Sequence, residues 1–162
     1  PTLLVRSGHS VVGSIGFSAI MMLGAPVGGF IGTMTVDHAG RKKMIVGSFI
    51  AAAILGIAYA HETTTVGILI NGFLITITFY ILMAVAVSVY NNELFDTQHR
   101  FRGAGIAHGI SKAPNALMPA AVAFAIMHVS ANYIYYAIAV LAIFAAGFVG
   151  FFGPETAKKE IK

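Results

Sequence analysis

The chain has 162 residues, of which 57% are hydrophobic and 10% charged, against roughly 45–50% and about 25% in ordinary soluble domains. A water-soluble fold of this composition lacks the polar residues to cover its surface, so lipid is the expected solvent. The formal charge of +4 does not describe a nucleic-acid binder, because the cations fall in short stretches between long uncharged runs, and the lack of cysteine removes disulfides and thiolate metal sites.

A membrane-spanning helix needs about 20 largely apolar residues. Five stretches meet that requirement, over 10–35, 44–60, 66–90, 104–129 and 133–152, followed by a polar tail over 153–162. The fold class expected is all-α, a polytopic bundle of five transmembrane helices. Pro1 opens the chain in place of Met, and no signal-peptide pattern precedes the first apolar run. The expectation is therefore a truncated chain or fragment.

In the first span, Gly24, Gly28 and Gly32 recur every four residues, a stripe that lets a neighbouring backbone approach closely, and Pro26 among them predicts a kink. The connection after it holds Arg41, Lys42 and Lys43, and the one after the third span holds Arg100 and Arg102. Lys158, Lys159 and Lys162 of the tail join them on one side of the membrane, with Arg6 alone on the other. The excess of positive charge marks that first side as cytoplasmic, with the N-terminus outside and the C-terminus inside. Tyr59, Tyr133, Tyr135 and Tyr136 then fall at the external boundary and Tyr90, Phe95 and Phe101 at the internal one.

Three short motifs carry a resemblance. Asp37-His38-Ala39-Gly40-Arg41-Lys42-Lys43 resembles the D-x-x-G-R-[RK] loop of the major facilitator superfamily, with Gly40 suited to a tight turn and Asp37 able to pair with a cation. Glu93-Leu94-Phe95-Asp96-Thr97-Gln98-His99-Arg100-Phe101-Arg102-Gly103 is similar to that family's E-L-F-P-T-x-x-R-x-R-G stretch, with Asp96 in place of proline. Gly153-Pro154-Glu155-Thr156 is similar to the P-E-T signature of its sugar-porter-like members. The resemblance implies helices eight to twelve of a twelve-helix transporter in a bacterial inner membrane, a C-terminal transmembrane half-domain lacking N-terminal helices, of the sugar-porter-like or metabolite:proton symporter branch. It also implies a cytoplasmic gate built on Asp37, Gly40, Arg41, Glu93, Arg100 and Glu155.

Lys112 is the one charge inside an apolar span. A lysine near the bilayer midplane costs a few kcal/mol or more unless it faces a cavity, finds a partner or snorkels to the headgroups. His108, Ser111, Lys112 and Asn115 share a helical stripe, and a stripe carrying a cation suits an anionic solute. Asn71 and Tyr80 of the third span are further solute-binding candidates, since buried amides and phenols need partners. With no Asp or Glu inside a span, the usual carboxylate proton relay is missing.

The function expected is movement of a small organic solute, an organic anion or a sugar-like metabolite, by alternating access across the lipid bilayer. The alternative is a truncated, non-transporting membrane protein that packs against another transporter through the glycine stripe. No enzyme activity, cofactor or metal is expected, because His9, His38, His61, His99, His108 and His128 are too scattered for metal-ligand spacing.

Overall fold

The computed structural model describes residues 10–90, 100–128 and 131–154. They form α1 (Val11–Met22), α2 (Gly24–Ala39), α3 (Arg41–His61), α4 (Thr65–Leu82), a π-helical continuation of α4 (Met83–Tyr90), α5 (Arg100–His128) and α6 (Ala131–Phe152). The all-α expectation holds, and α1 with α2 forms a single bent span. Val12–Ala39, Arg41–His61, Thr65–Tyr90 and Tyr133–Phe152 are each long and apolar enough to cross a membrane. The fifth helix, α5, has 29 residues, roughly 43 Å at 1.5 Å per residue. The helices outrun the apolar stretches where cations begin them, at Arg41 and at Arg100, since a charged residue outside the hydrocarbon can still continue the backbone ladder.

Local chemistry sets the ends. Ser10 caps α1 by accepting a bond from the Gly13 N–H at 3.0 Å, and Thr64 caps α4 by accepting from the Gly67 N–H at 3.1 Å. Between α1 and α2 the Leu23 N–H turns to the Ile20 carbonyl at 3.1 Å. Three residues on, Pro26 lacks the N–H that would bond the Met22 carbonyl, so the expected kink falls at this joint. Within the spans, the hydroxyls of Ser18, Thr33, Thr35, Thr76 and Thr78 donate to carbonyls one turn back, which keeps them satisfied without water.

α4 touches α1, α2 and α3, and α3 packs most extensively along α6, while α5 meets the bundle chiefly through α6. α2 and α4 run parallel in close contact. A Cβ built on Gly24 would stand 2.9 Å from the Phe73 carbonyl oxygen, one on Gly28 would run into the Ile77 carbonyl, and one on Gly32 would stand 3.2 Å from Ile81 Cα. The glycine stripe therefore lies against the backbone of α4 at a matching spacing of four residues. α3 and α6 run antiparallel, as Tyr59 stacks on Tyr135 at one end with ring centroids 5.2 Å apart, and Gly150 approaches Val46 towards the other.

A buried cluster of Val36, Ile45, Val85 and Tyr90, flanked by Met44, Phe49, Ile81 and Val149, ties α2, α3, the π-helical segment and α6 together at the end of the bundle that carries the Gly40 turn. Elsewhere the chain covers little of itself. In the most apolar stretch of each of the four spans, 17% of residues or fewer are buried inside the protein. The rest of that surface requires lipid or further helices.

Candidate functional site

Two regions of the bundle hold the residues singled out by the sequence. The first is the end where α2 turns into α3. Gly40 adopts φ 91°, a backbone conformation that L side chains rarely hold, and its carbonyl accepts from the Met44 N–H at 3.2 Å. The turn sets Asp37, in the last turn of α2, beside Arg41, the first residue of α3, with Oδ1 and Nη2 3.0 Å apart. Asp37 is 71% exposed and Arg41 13%, so the pair has one foot in solvent and is worth only about 0–1 kcal/mol. A contact of that strength can be made and broken repeatedly.

The same end holds a contact that the sequence reading missed. Tyr90, expected at the membrane boundary as an amphipathic ring, is instead buried at 9% exposure, and its hydroxyl donates to the Pro154 carbonyl at 2.9 Å. Gly153 lies against that hydroxyl. A phenol at the end of an apolar helix suits both a boundary belt and an internal tie, so composition alone did not separate the two. Phe101 is exposed, as a boundary ring would be. Glu93, Phe95 and Glu155, with the tail from 155 onward, lie outside the described residues, as does the side chain of Arg100, which opens α5.

The second region is the polar residues of the spans. His108, Ser111, Lys112 and Asn115 lie on one exposed face of α5, and the Ser111 hydroxyl donates back to the His108 carbonyl at 2.8 Å. Pro114 and Pro119, inside the same helix, remove the N–H groups that would bond the carbonyls of Ile110 and Asn115, leaving further acceptors near the lysine. Asn71 and Tyr80 lie on α4, away from this face, and they do not share a side of their own helix. Nine residues make two and a half turns, and Asn71 is buried at 7% while Tyr80 is 36% exposed. The Asn71 Oδ1 has no hydrogen-bond partner, and neither does the hydroxyl of Ser14, which is fully buried on α1. Ser14 was not singled out by the sequence, because a serine in a membrane helix ordinarily bonds its own backbone.

At the opposite end, Tyr136 and His61 Nε2 share a hydrogen bond of 2.9 Å, and Tyr133 meets Tyr136 edge-on at 6.4 Å. With Tyr59 and Tyr135 these rings form an aromatic patch across α3 and α6, at the end where an external belt was expected.

The family model described as "Sugar (and other) transporter" matches residues 5–162. The chain is 33% identical over 162 residues to the inner membrane metabolite transport protein YdjE of Escherichia coli, covering 100% of this chain and 36% of that protein. It is 27% identical over 164 residues to the niacin transporter NiaP of Acinetobacter baylyi, covering 100% of this chain and 37% of that protein. The chain thus spans little more than a third of the length of these curated relatives. No solved structure matches it at a significant level.

Proposed function

The chain belongs to the sugar (and other) transporter family, and from that premise we propose that it forms one wall and one gate of a secondary active transporter moving a small organic solute by alternating access. The full-length family match carries this reading, and two features of the bundle support it. The Asp37–Arg41 pair across Gly40 is a weak, switchable contact where a rocking bundle needs one. α5 presents an ionisable residue on a face left exposed by the described residues.

In this proposal further helices, outside this chain, supply the opposite wall of the solute site. The end with Asp37, Gly40 and Arg41 faces the cytoplasm of a bacterial inner membrane, and Glu93, Arg100 and Glu155 join the gate there. The N-terminus is external and the C-terminus internal, in keeping with the cations of the loops and tail. Transport chemistry needs no bond making, so no catalytic group is assigned.

The solute is an organic anion. Lys112 stands twelve residues into α5, roughly 18 Å along it, and near the middle of a bilayer about 30 Å thick its ammonium needs a counter-charge. Asp37, at the very end of the first described span, is already paired with Arg41, and no carboxylate lies within α5. His108 and Asn115 flank the lysine as hydrogen-bonding groups, while Asn71 and Tyr80, on opposite sides of α4, stand apart from this face. Niacin, the solute named for one relative, is a carboxylate and the first compound to try. The alternative of a non-transporting protein docking through Gly24, Gly28 and Gly32 loses its surface, because that stripe is already occupied by α4.

The test is uptake of labelled organic carboxylates and of neutral sugars by cells expressing the whole gene product. Lys112→Met abolishes carboxylate uptake and Lys112→Arg retains part of it. Unchanged uptake by a well-expressed Lys112→Met protein overturns the assignment of this residue, and no uptake of any solute class by the parent overturns the function.

A further inference from the structure

Tyr90 joins two parts of the chain that lie far apart in sequence. It ends the π-helical segment Met83–Tyr90, and its hydroxyl reaches across 64 residues to the carbonyl of Pro154, just beyond α6. A π-helical stretch is an uncommon and less regular backbone, frequent at functional sites, and here it lies where α2, α3 and α4 meet. Its side chains are half of the buried cluster: Val85 is 1% exposed and Tyr90 9%, against Val36 from α2 and Ile45 from α3. Val36 immediately precedes Asp37, so the cluster and the ion pair of the Gly40 turn belong to one end of the bundle.

The chemistry of the Tyr90–Pro154 contact is one of position. A phenol that is mostly buried needs an acceptor, and the Pro154 carbonyl supplies one. Separating them costs the net worth of that hydrogen bond. The approach is also tight. A Cβ on Gly153 would stand 2.5 Å from the Val149 carbonyl oxygen and 2.9 Å from the Tyr90 hydroxyl, so residue 153 has room for hydrogen only. Gly153 is itself fixed by its N–H, which donates to the Val149 carbonyl at 2.9 Å.

We propose that the Tyr90 hydroxyl is a latch, a positioning group that fastens the segment after α6 to the π-helical end of α4 and holds this end of the bundle closed. The inference rests on the transporter reading for its purpose, since a closed end must open once per cycle. Its geometry stands apart from that reading. Opening releases the hydroxyl from Pro154, lets the π-helical segment move away from α6, and admits water to Val85.

The chain has no cysteine, so once any cysteine outside it is replaced, a single introduced thiol can be followed in the whole protein. Val85→Cys reports opening at the cluster and Ala53→Cys, at a residue 2% exposed in the middle of α3, reports general loosening. Both are labelled with a maleimide in permeabilised membranes, so that neither transport nor orientation enters the measurement. Adding Tyr90→Phe, which keeps the ring and removes the hydroxyl, raises the labelling rate at position 85 about fivefold, the factor set by a net hydrogen bond of about 1 kcal/mol. The rate at position 53 stays unchanged. Gly153→Ala, whose Cβ crowds both the Val149 carbonyl and the hydroxyl and so shifts residue 153 away from Tyr90, gives the same pattern by an independent route. Equal labelling of the parent and both variants at position 85 overturns the latch, as does a rise at both reporter positions. Solute uptake, measured separately, decides the transporter reading whichever way the labelling falls.

Discussion

Gly28 and Gly29 are neighbours in sequence, yet a methyl group added to each meets opposite surroundings. At Gly28 the new Cβ runs into the Ile77 carbonyl and would stand 2.9 Å from Ile77 Cα, whereas at Gly29 nothing lies within 4 Å. The obstruction is backbone, which cannot rotate aside as a side chain would, so Gly28→Ala forces α2 away from α4 along the stripe. Overpacking of this kind costs about 1–3 kcal/mol, set against a helix-propensity gain for Gly→Ala of up to about 1 kcal/mol. Gly29→Ala keeps the gain without the cost. At about 2–4 °C per kcal/mol for a chain of this size, Gly28→Ala lowers the thermal midpoint by several degrees and Gly29→Ala leaves it level or raises it slightly. The assay is loss of the monodisperse peak of the detergent-purified protein after heating, run on the parent and both variants together. A Gly28→Ala protein as stable as Gly29→Ala would refute the close contact, and with it the argument that the stripe is an internal seam.

Asn71→Leu removes an amide whose carbonyl oxygen is buried without a partner, an arrangement that costs about 1–3 kcal/mol. The variant is expected to unfold at a higher temperature while taking up solute more slowly; a lower midpoint would mean that the amide is a structural tie. Gly40→Ala places an L side chain at φ 91°, which costs about 1–2 kcal/mol. The thermal midpoint then falls by a few degrees, and mild proteolysis cuts the α2–α3 turn faster than in the parent.

The five helices were legible because the bilayer imposes one length and one composition on anything that crosses it. The turn at Gly40 was legible too, since glycine alone tolerates a positive φ, and the break in the helix at Leu23 lies three residues before Pro26. Partner choice was not. That α3 lies along α6 and not mainly along the adjacent α2 or α4 depends on surfaces that are uniformly apolar, where lipid and protein are hard to tell apart by composition. The π-helical segment left no mark in the sequence Met83–Tyr90, whose residues suit an α-helix equally well. Burial of Tyr90 depends on a carbonyl 64 residues away. The separation of Asn71 from Tyr80, by contrast, follows from their spacing, and treating them as members of one cavity overlooked it.

The pairing of α3 with α6 also bears on how the protein is made. α2 can meet α4 as soon as the third span has entered the membrane, but the longest partner of α3 is the last of the described helices to be synthesised. At about 5–20 residues per second, α3 waits for seconds with that flank covered only by lipid or by the insertion machinery. A ribosome that stalls before Ala131 leaves a chain whose front seam is already zipped and whose back is bare, the kind of half-built product that membrane proteases are placed to find.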